Sequence, residues 1–310
     1  MTSAVVIDHV SKSFGTHPAV QELSLEVPTG SVYGFIGPNG SGKTTTLRMI
    51  MRILHPDEGE IHVLGETKLG AANDRVGYLP EERGLYKTMR VRDLLRFYAE
   101  LKGFRQSRSV IDEWLERFDL ADWGDKKIQA LSKGMAQKVQ FISAVVANPE
   151  LILLDEPFSG LDPVNAEVLR EAVIDLRRQG ATIIFSTHDM SVAEKLCDFI
   201  FMIYKGRKVL DGTLESIQNQ FGEDTLRVRL DNHTDLTSLP GVTKVTDIGR
   251  LQELRLERGG DPQRVLSALV GRGRVLHFEL AKPTLHDIFV RIAAPDEHIA
   301  EAAIQGAHHA

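Results

Sequence analysis

The chain holds one cysteine, Cys197, in 310 residues. That excludes an internal disulfide and any zinc cluster built on several thiolates, and it fits a reducing compartment such as the cytosol. Long apolar runs are also lacking. The most apolar segments, such as Phe199 to Tyr204, fall far short of the roughly 20 residues that span a bilayer. The opening Met1-Thr2-Ser3-Ala4 has no basic stretch leading into an apolar core, so the chain alone is expected to be soluble. Positive charge is in deficit. With a net charge of −6 there is no global basic surface of the kind that binds a duplex, and nucleic acid is not an expected partner.

What is present begins at Gly37. Residues Gly37, Pro38, Asn39, Gly40, Ser41, Gly42, Lys43 and Thr44 complete a G-x-x-x-x-G-K-[ST] phosphate loop, and Thr45 follows it. The β-like run Val32 to Ile36 precedes the loop, and Leu47, Ile50, Met51 and Leu54 continue it with helical spacing. Strand, loop and helix therefore arrive in the order the motif requires. Backbone N–H groups cradle the phosphates of a nucleoside triphosphate, Lys43 reaches the β/γ oxygens, and Thr44 offers a hydroxyl to Mg²⁺. The positive end of the helix points at the same phosphates.

A second motif follows the unbroken apolar run Leu151 to Leu154, which suits a parallel strand covered on both faces. Asp155 leaves that strand at its carboxyl end, where it would hold Mg²⁺, and Glu156 is placed to accept a proton from water attacking the γ-phosphate. Adjacent acids at a strand end are also ordinary turn residues. Their coupling to an intact phosphate loop favours the catalytic reading.

Between these stations stands Leu131-Ser132-Lys133-Gly134-Met135-Ala136-Gln137, opening an amphipathic helix with Val139, Ile142, Val145 and Val146 on its apolar side. Ser132 and Gly134 resemble the second and fourth positions of the L-S-G-G-Q signature of ATP-binding-cassette (ABC) ATPases. The order of phosphate loop, signature, Asp155-Glu156, Ser159-Gly160-Leu161-Asp162 and then His188 is similar to that family at every step. The resemblance covers roughly residues 3 to 220. It implies an α/β fold with a RecA-like core, an antiparallel β-subdomain and a helical subdomain at about 85–148. It further implies that His188 contacts the γ-phosphate, that Asp162 joins the nucleotide site, and that Ser132 and Gly134 act on the ATP of a second subunit. Phe14 falls where the family stacks an aromatic ring on adenine, and packing within the β-subdomain is the alternative.

Two departures from the family pattern stand out. Glu81, in Gly77-Tyr78-Leu79-Pro80-Glu81-Glu82, replaces a glutamine that touches Mg²⁺ or the attacking water. A carboxylate there adds negative charge beside ATP, so either Mg²⁺ screens it or it stays back until the site closes. In the signature, Lys133 is either an added cation near phosphate or a solvated side chain.

Val91, Leu94, Leu95, Tyr98 and Leu101 share one helical face in the helical subdomain. Basic residues predominate from Arg90 to Arg108 and acidic ones from Asp112 to Asp125, either as two solvated faces or as a docking surface for a membrane subunit. The first domain is expected over residues 1–222. From there the pattern changes to β-like runs at Thr225 to Leu230, Val242 to Ile248, Leu251 to Leu256 and Val275 to Leu280, with a helix at Pro262 to Val270. This predicts a small α+β domain over 223–292 and a flexible tail over 293–310. Such an appendix resembles the C-terminal domain of ATPases serving ABC-2 type exporters.

The resemblance thus implies a subunit that hydrolyses MgATP to power export through a separate transmembrane permease. It would sit at the cytoplasmic face of the membrane, as a homodimer or a heterodimer. A soluble ABC ATPase of translation or DNA repair is the alternative, but neither a second cassette nor a long coiled-coil insertion is present. Lys43→Ala is expected to weaken ATP binding itself, whereas Ser132→Ala spares binding by the monomer and impairs dimer closure and turnover. Equilibrium nucleotide binding and sedimentation separate the two losses, and abolished binding by monomeric Ser132→Ala would refute the assignment in trans.

Overall fold

The computed structural model describes residues 2–67, 73–82, 84–105, 107–221, 225–232, 235–257 and 259–293. In chain order, strands β1 (Ser3–Phe14), β2 (His17–Pro28) and β3 (Val32–Ile36) lead to helix α1 (Lys43–Ile50), β4 (Glu58–Val63) and β5 (Val76–Leu79). Helices α2 (Val91–Leu101), α3 (Arg108–Arg117) and α4 (Lys133–Val145) precede β6 (Leu151–Asp155), α5 (Pro163–Arg178) and β7 (Thr182–Thr187). Then come α6 (Met190–Leu196), β8 (Phe199–Tyr204), β9 (Arg207–Gly212) and α7 (Leu214–Phe221). The chain continues through β10 (Thr225–Leu230), β11 (Val242–Asp247), β12 (Gln252–Leu256), α8 (Pro262–Val270) and β13 (Val275–Ala281).

The central sheet has the order β5-β6-β7-β3-β8-β9 and is parallel except where β9 runs back along β8. Every residue of β3, β6 and β7 is buried, which explains the apolar runs Leu151 to Leu154 and Ile183 to Phe185 within them. Side chains alternate across a strand, so Leu151 and Leu153 of β6 enter one core while Ile152 and Leu154 enter another. The first core takes in Leu47 and Ile50 of α1 and residues Val5, Ile7, Leu23 and Ile61 of an antiparallel sheet ordered β2-β1-β4. The second takes in Leu94 and Leu95 of α2, Leu115 of α3, and Val139, Ile142 and Val145 of α4. One sheet thereby carries the β-subdomain on one face and the helical subdomain on the other.

Within the helical subdomain the ring of Phe118 lies 5.9 Å from that of Trp114 and 5.6 Å from that of Phe141, tying α3 to α4. Val91, Leu94 and Leu95 are fully buried, but Leu101 is 60% exposed. At about 100° per residue, ten residues leave position 101 about 80° off the line of Val91, at the margin of the stripe. The segregated charges partly meet each other. Arg92 Nε donates to Asp112 at 2.9 Å and Arg92 Nη1 lies 3.3 Å from Asp125.

The chain divides into compact units between Leu214 and Glu215, earlier than the boundary expected after residue 222. The reason lies in α7, whose polar contacts run forward in sequence: Gln218 Nε2 donates to the Pro283 carbonyl at 3.0 Å, and Arg291 Nη1 to that of Phe221 at 3.2 Å. The second unit is an antiparallel sheet ordered β11-β12-β10-β13. Leu226, Val228, Leu254 and Leu256 pack against Val265 and Leu269 of α8. Asp261 caps that helix by accepting the Gln263 N–H at 2.9 Å, and Pro262 occupies its first turn. The tail assigned to 293–310 lies, beyond Ala293, outside the described residues. Among the described residues no helix is long and apolar enough to cross a membrane.

Trp114 also meets Phe141 at 6.0 Å, but Phe118 is fully buried between them, so Phe118→Ala is expected to destabilise the first unit by about 3–5 kcal/mol. The two tryptophans, Trp114 and Trp123, both belong to this subdomain, and their fluorescence in a denaturant titration reads the loss. An unshifted midpoint would show that the aromatic group does not hold the subdomain.

Candidate functional site

The phosphate loop connects β3 to α1 in a conformation that its glycines permit. Gly42 has φ +110°, and a Cβ there would meet the Ala19 carbonyl oxygen at 2.6 Å. A Cβ on Gly37 would lie 2.2 Å from the Ile203 carbonyl oxygen. Lys43 is only 6% exposed and folds back over the loop, its Nζ donating to the carbonyls of Gly37 at 2.8 Å and Pro38 at 3.1 Å. Burial pushes its ammonium below the usual lysine range, against the opposing pull of Glu156, Asp155 and Glu81.

The adjacent strand end supplies the acids. Asp155 is fully buried. Its Oδ1 accepts from Thr44 Oγ1 at 3.1 Å and from Ser186 Oγ at 2.5 Å, while Oδ2 is buried without a hydrogen-bond partner. An unpaired carboxylate oxygen beside a threonine hydroxyl is a hard oxygen donor set, and it fits a divalent cation such as Mg²⁺. Glu156 turns out of the strand with φ +50°, a left-handed conformation that costs a residue bearing a Cβ about 1–2 kcal/mol. Ser186 holds that turn by accepting the Glu156 N–H at 3.0 Å. The Glu156 carboxylate is set by His188, whose Nδ1 lies 3.1 Å from both its oxygens, and Lys43 Nζ stands 3.8 Å from Oε1.

Phe14, Asn39, Gly40, Gly42, Lys43, Thr44, Thr45, Glu81 and Glu156 together line a cleft of about 480 Å³, which His17 and Ala19 of β2 also border. Phe14 is 49% exposed, so its ring remains available to the cleft and is not buried in the β-subdomain. Ser41 Oγ is buried and unpartnered. Of the other expected residues, Gly37, Pro38, Ser41, Asp155 and His188 belong to the loop or bond to its neighbours without lining the cleft, whereas Ser132, Gly134 and Asp162 lie on other elements and do not line it either. Ser132 caps α4, its Oγ accepting the Met135 N–H at 3.3 Å, and Gly134 sits in the same turn. Asp162 caps α5, accepting the N–H groups of Val164 and Asn165 at 3.0 Å each and the Asn165 side-chain amide. Those bonds, the Asn165 N–H foremost, hold its carboxyl below the usual range.

Sequence reasoning missed Ser186, which joins Asp155 to the backbone of Glu156. The available signal was a hydroxyl at the end of the otherwise apolar Ile183-Ile184-Phe185 run. It also missed two glutamines of α4, Gln137 and Gln140, whose amides donate to loop carbonyls near the cleft.

A buried lysine on a glycine-bearing loop, with a buried, half-unpaired aspartate and a second carboxylate alongside, is the arrangement expected of a P-loop nucleoside triphosphatase. Residues 20–159 match the family described as ABC transporter, and residues 212–293 match the C-terminal domain of ATP-binding proteins like DrrA1-3. An uncharacterized ABC transporter ATP-binding protein of Bacillus subtilis (strain 168), YhaQ, is 44% identical over 92% of this chain and 97% of its own. The daunorubicin resistance ATP-binding protein DrrA3 of Streptomyces coeruleorubidus is 33% identical over 97% of this chain and 99% of its own. A solved ATP-binding subunit of an ABC transporter superposes with a TM-score of 0.67 at 30% identity, covering 71% of this chain and 93% of that one. The chain belongs to the ATP-binding subunits of ABC transporters, which hydrolyse ATP to drive transport.

Removing the Ser186 hydroxyl leaves the buried Asp155 carboxylate short of a donor and the Glu156 turn unheld. Ser186→Ala is therefore expected to cost about 1–3 kcal/mol of stability and to lower turnover. Denaturant unfolding and phosphate release measure the two effects, and a variant unchanged in both would dismiss Ser186 as a support of the site.

Proposed function

We propose that the chain acts as one half of a homodimeric MgATPase that drives export through a separate transmembrane permease, held at the cytoplasmic face of the membrane by that partner. The carrying observation is the division of the site: Lys43, Thr44, Asp155 and Glu156 gather at one cleft, whereas Ser132 and Gly134 open α4 and do not line it. A second copy would bring its Ser132 hydroxyl and the N-terminal end of its α4 to the triphosphate. Export rests on the likeness to DrrA3, a resistance protein by name.

Within the cleft, Lys43 and the loop N–H groups bind the triphosphate and Phe14 offers its ring to the adenine. Thr44 and Asp155 would hold Mg²⁺, with Glu81 lining the same cleft, and the ion neutralises charge on the β/γ oxygens when bound. Glu156 takes the proton of the attacking water, and His188, bonded to that carboxylate and 58% exposed, also faces the γ-phosphate in this reading. A groove of about 460 Å³ bordered by Tyr98, Leu101 and Pro80 joins the helical subdomain to the Glu81 loop, and supports docking of the permease there.

Glu156→Gln keeps the shape of the side chain and removes the base. It is expected to bind MgATP, to hydrolyse it at least about 100-fold more slowly, and to accumulate as a closed dimer. Phosphate release and size-exclusion chromatography with ATP check this, and near-normal turnover would exclude Glu156 as the general base.

A further inference from the structure

Helix α4 reaches the nucleotide cleft by a route other than its signature turn. Gln140 is 4% exposed and sits between Val139 and Phe141, both fully buried. Its Nε2 donates to the Pro80 carbonyl at 3.1 Å and to the Glu82 carbonyl at 3.2 Å. These two acceptors bracket Glu81, which lines the cleft together with Lys43 and Glu156. The proline ring already fixes φ at position 80. With the peptide entering Glu81 and the carbonyl of the following residue both tied to one amide, the direction in which Glu81 leaves the backbone is set by α4. One turn earlier on the same helix, Gln137 Nε2 donates to the carbonyl of Pro157, the residue after Glu156, at 3.2 Å.

We infer that Gln140 is a positioning residue for Glu81, coupling the place of α4 to the carboxylate at the nucleotide cleft. The inference rests on the reading of that cleft as an ATPase site. The Gln140 amide is oriented for this contact at the expense of its own oxygen, since Oε1 is buried with no hydrogen-bond partner. A residue kept for packing alone would be apolar here, because an unpaired buried acceptor is unfavourable. Gln140 also borders the groove that holds Tyr98 and Leu101, so whatever displaces α4 against β5 moves Glu81 with it.

Gln140→Met keeps the length of the side chain and removes both the donor and the unpaired oxygen, so the full-length protein is expected to unfold at nearly the same temperature. Without nucleotide, amide exchange in the 78–82 segment should rise about tenfold, the response of backbone released to local opening. Turnover should fall about tenfold, the scale of a displacement of part of an ångström, with KM for ATP within about twofold. In a Glu81→Ala background the same substitution should cost no further turnover. Unchanged exchange, or an equal loss of turnover in the Glu81→Ala background, would overturn the assignment. If the unsubstituted protein failed to hydrolyse ATP, the proposed function would fail, and exchange in the nucleotide-free protein would still decide the role of Gln140.

Discussion

A carboxylate with no solvent exposure closes the apolar strand β6, and the site is organised around keeping the charge of Asp155 tolerable. An isolated buried charge costs several kcal/mol. Two hydroxyls offset part of this on Oδ1, one from the phosphate loop and one from the neighbouring strand β7. Oδ2 receives nothing from the protein, which suits the cation proposed beside Thr44. Binding and strand geometry are thereby linked, because the register that pairs Asp155 with Ser186 also places it beside the loop.

The same carboxylate fixes the neighbouring glutamate. Ser186 touches Asp155 with its proton and the Glu156 backbone with its lone pair, and in that arrangement Glu156 adopts a left-handed φ. His188 and Lys43 then stand on either oxygen or close to one, which restricts the side chain to a narrow set of orientations. In the proposed role of general base, a carboxylate held in this way would need little reorganisation.

Much of this was legible in the sequence because it is local. The phosphate loop, the Asp155-Glu156 strand end and the second unit depend on spacing and turn chemistry, and β10, β11, β12, α8 and β13 begin and end within one residue of the expected runs. Legibility ended where contacts join distant segments. Neither Ser186 to Asp155 nor Gln140 to Pro80 can be read from periodicity, since each pairs elements that only the sheet order brings together. The division of the chain near α7 follows a similar rule: helical pattern marks that a helix exists, while its contacts at Pro283 and Arg291 tie it to the unit that follows.

The crowding behind the phosphate loop has an evolutionary consequence. At Gly37 and Gly42 the space a side chain needs is already occupied by main-chain carbonyls of Ile203 on β8 and Ala19 on β2. These glycines therefore answer to folding as well as to phosphate. A descendant of this chain that ceased to use nucleotide would be free to lose Lys43 and Glu156 long before it could lose Gly37 or Gly42, so the glycine skeleton of the motif outlasts the activity it advertises.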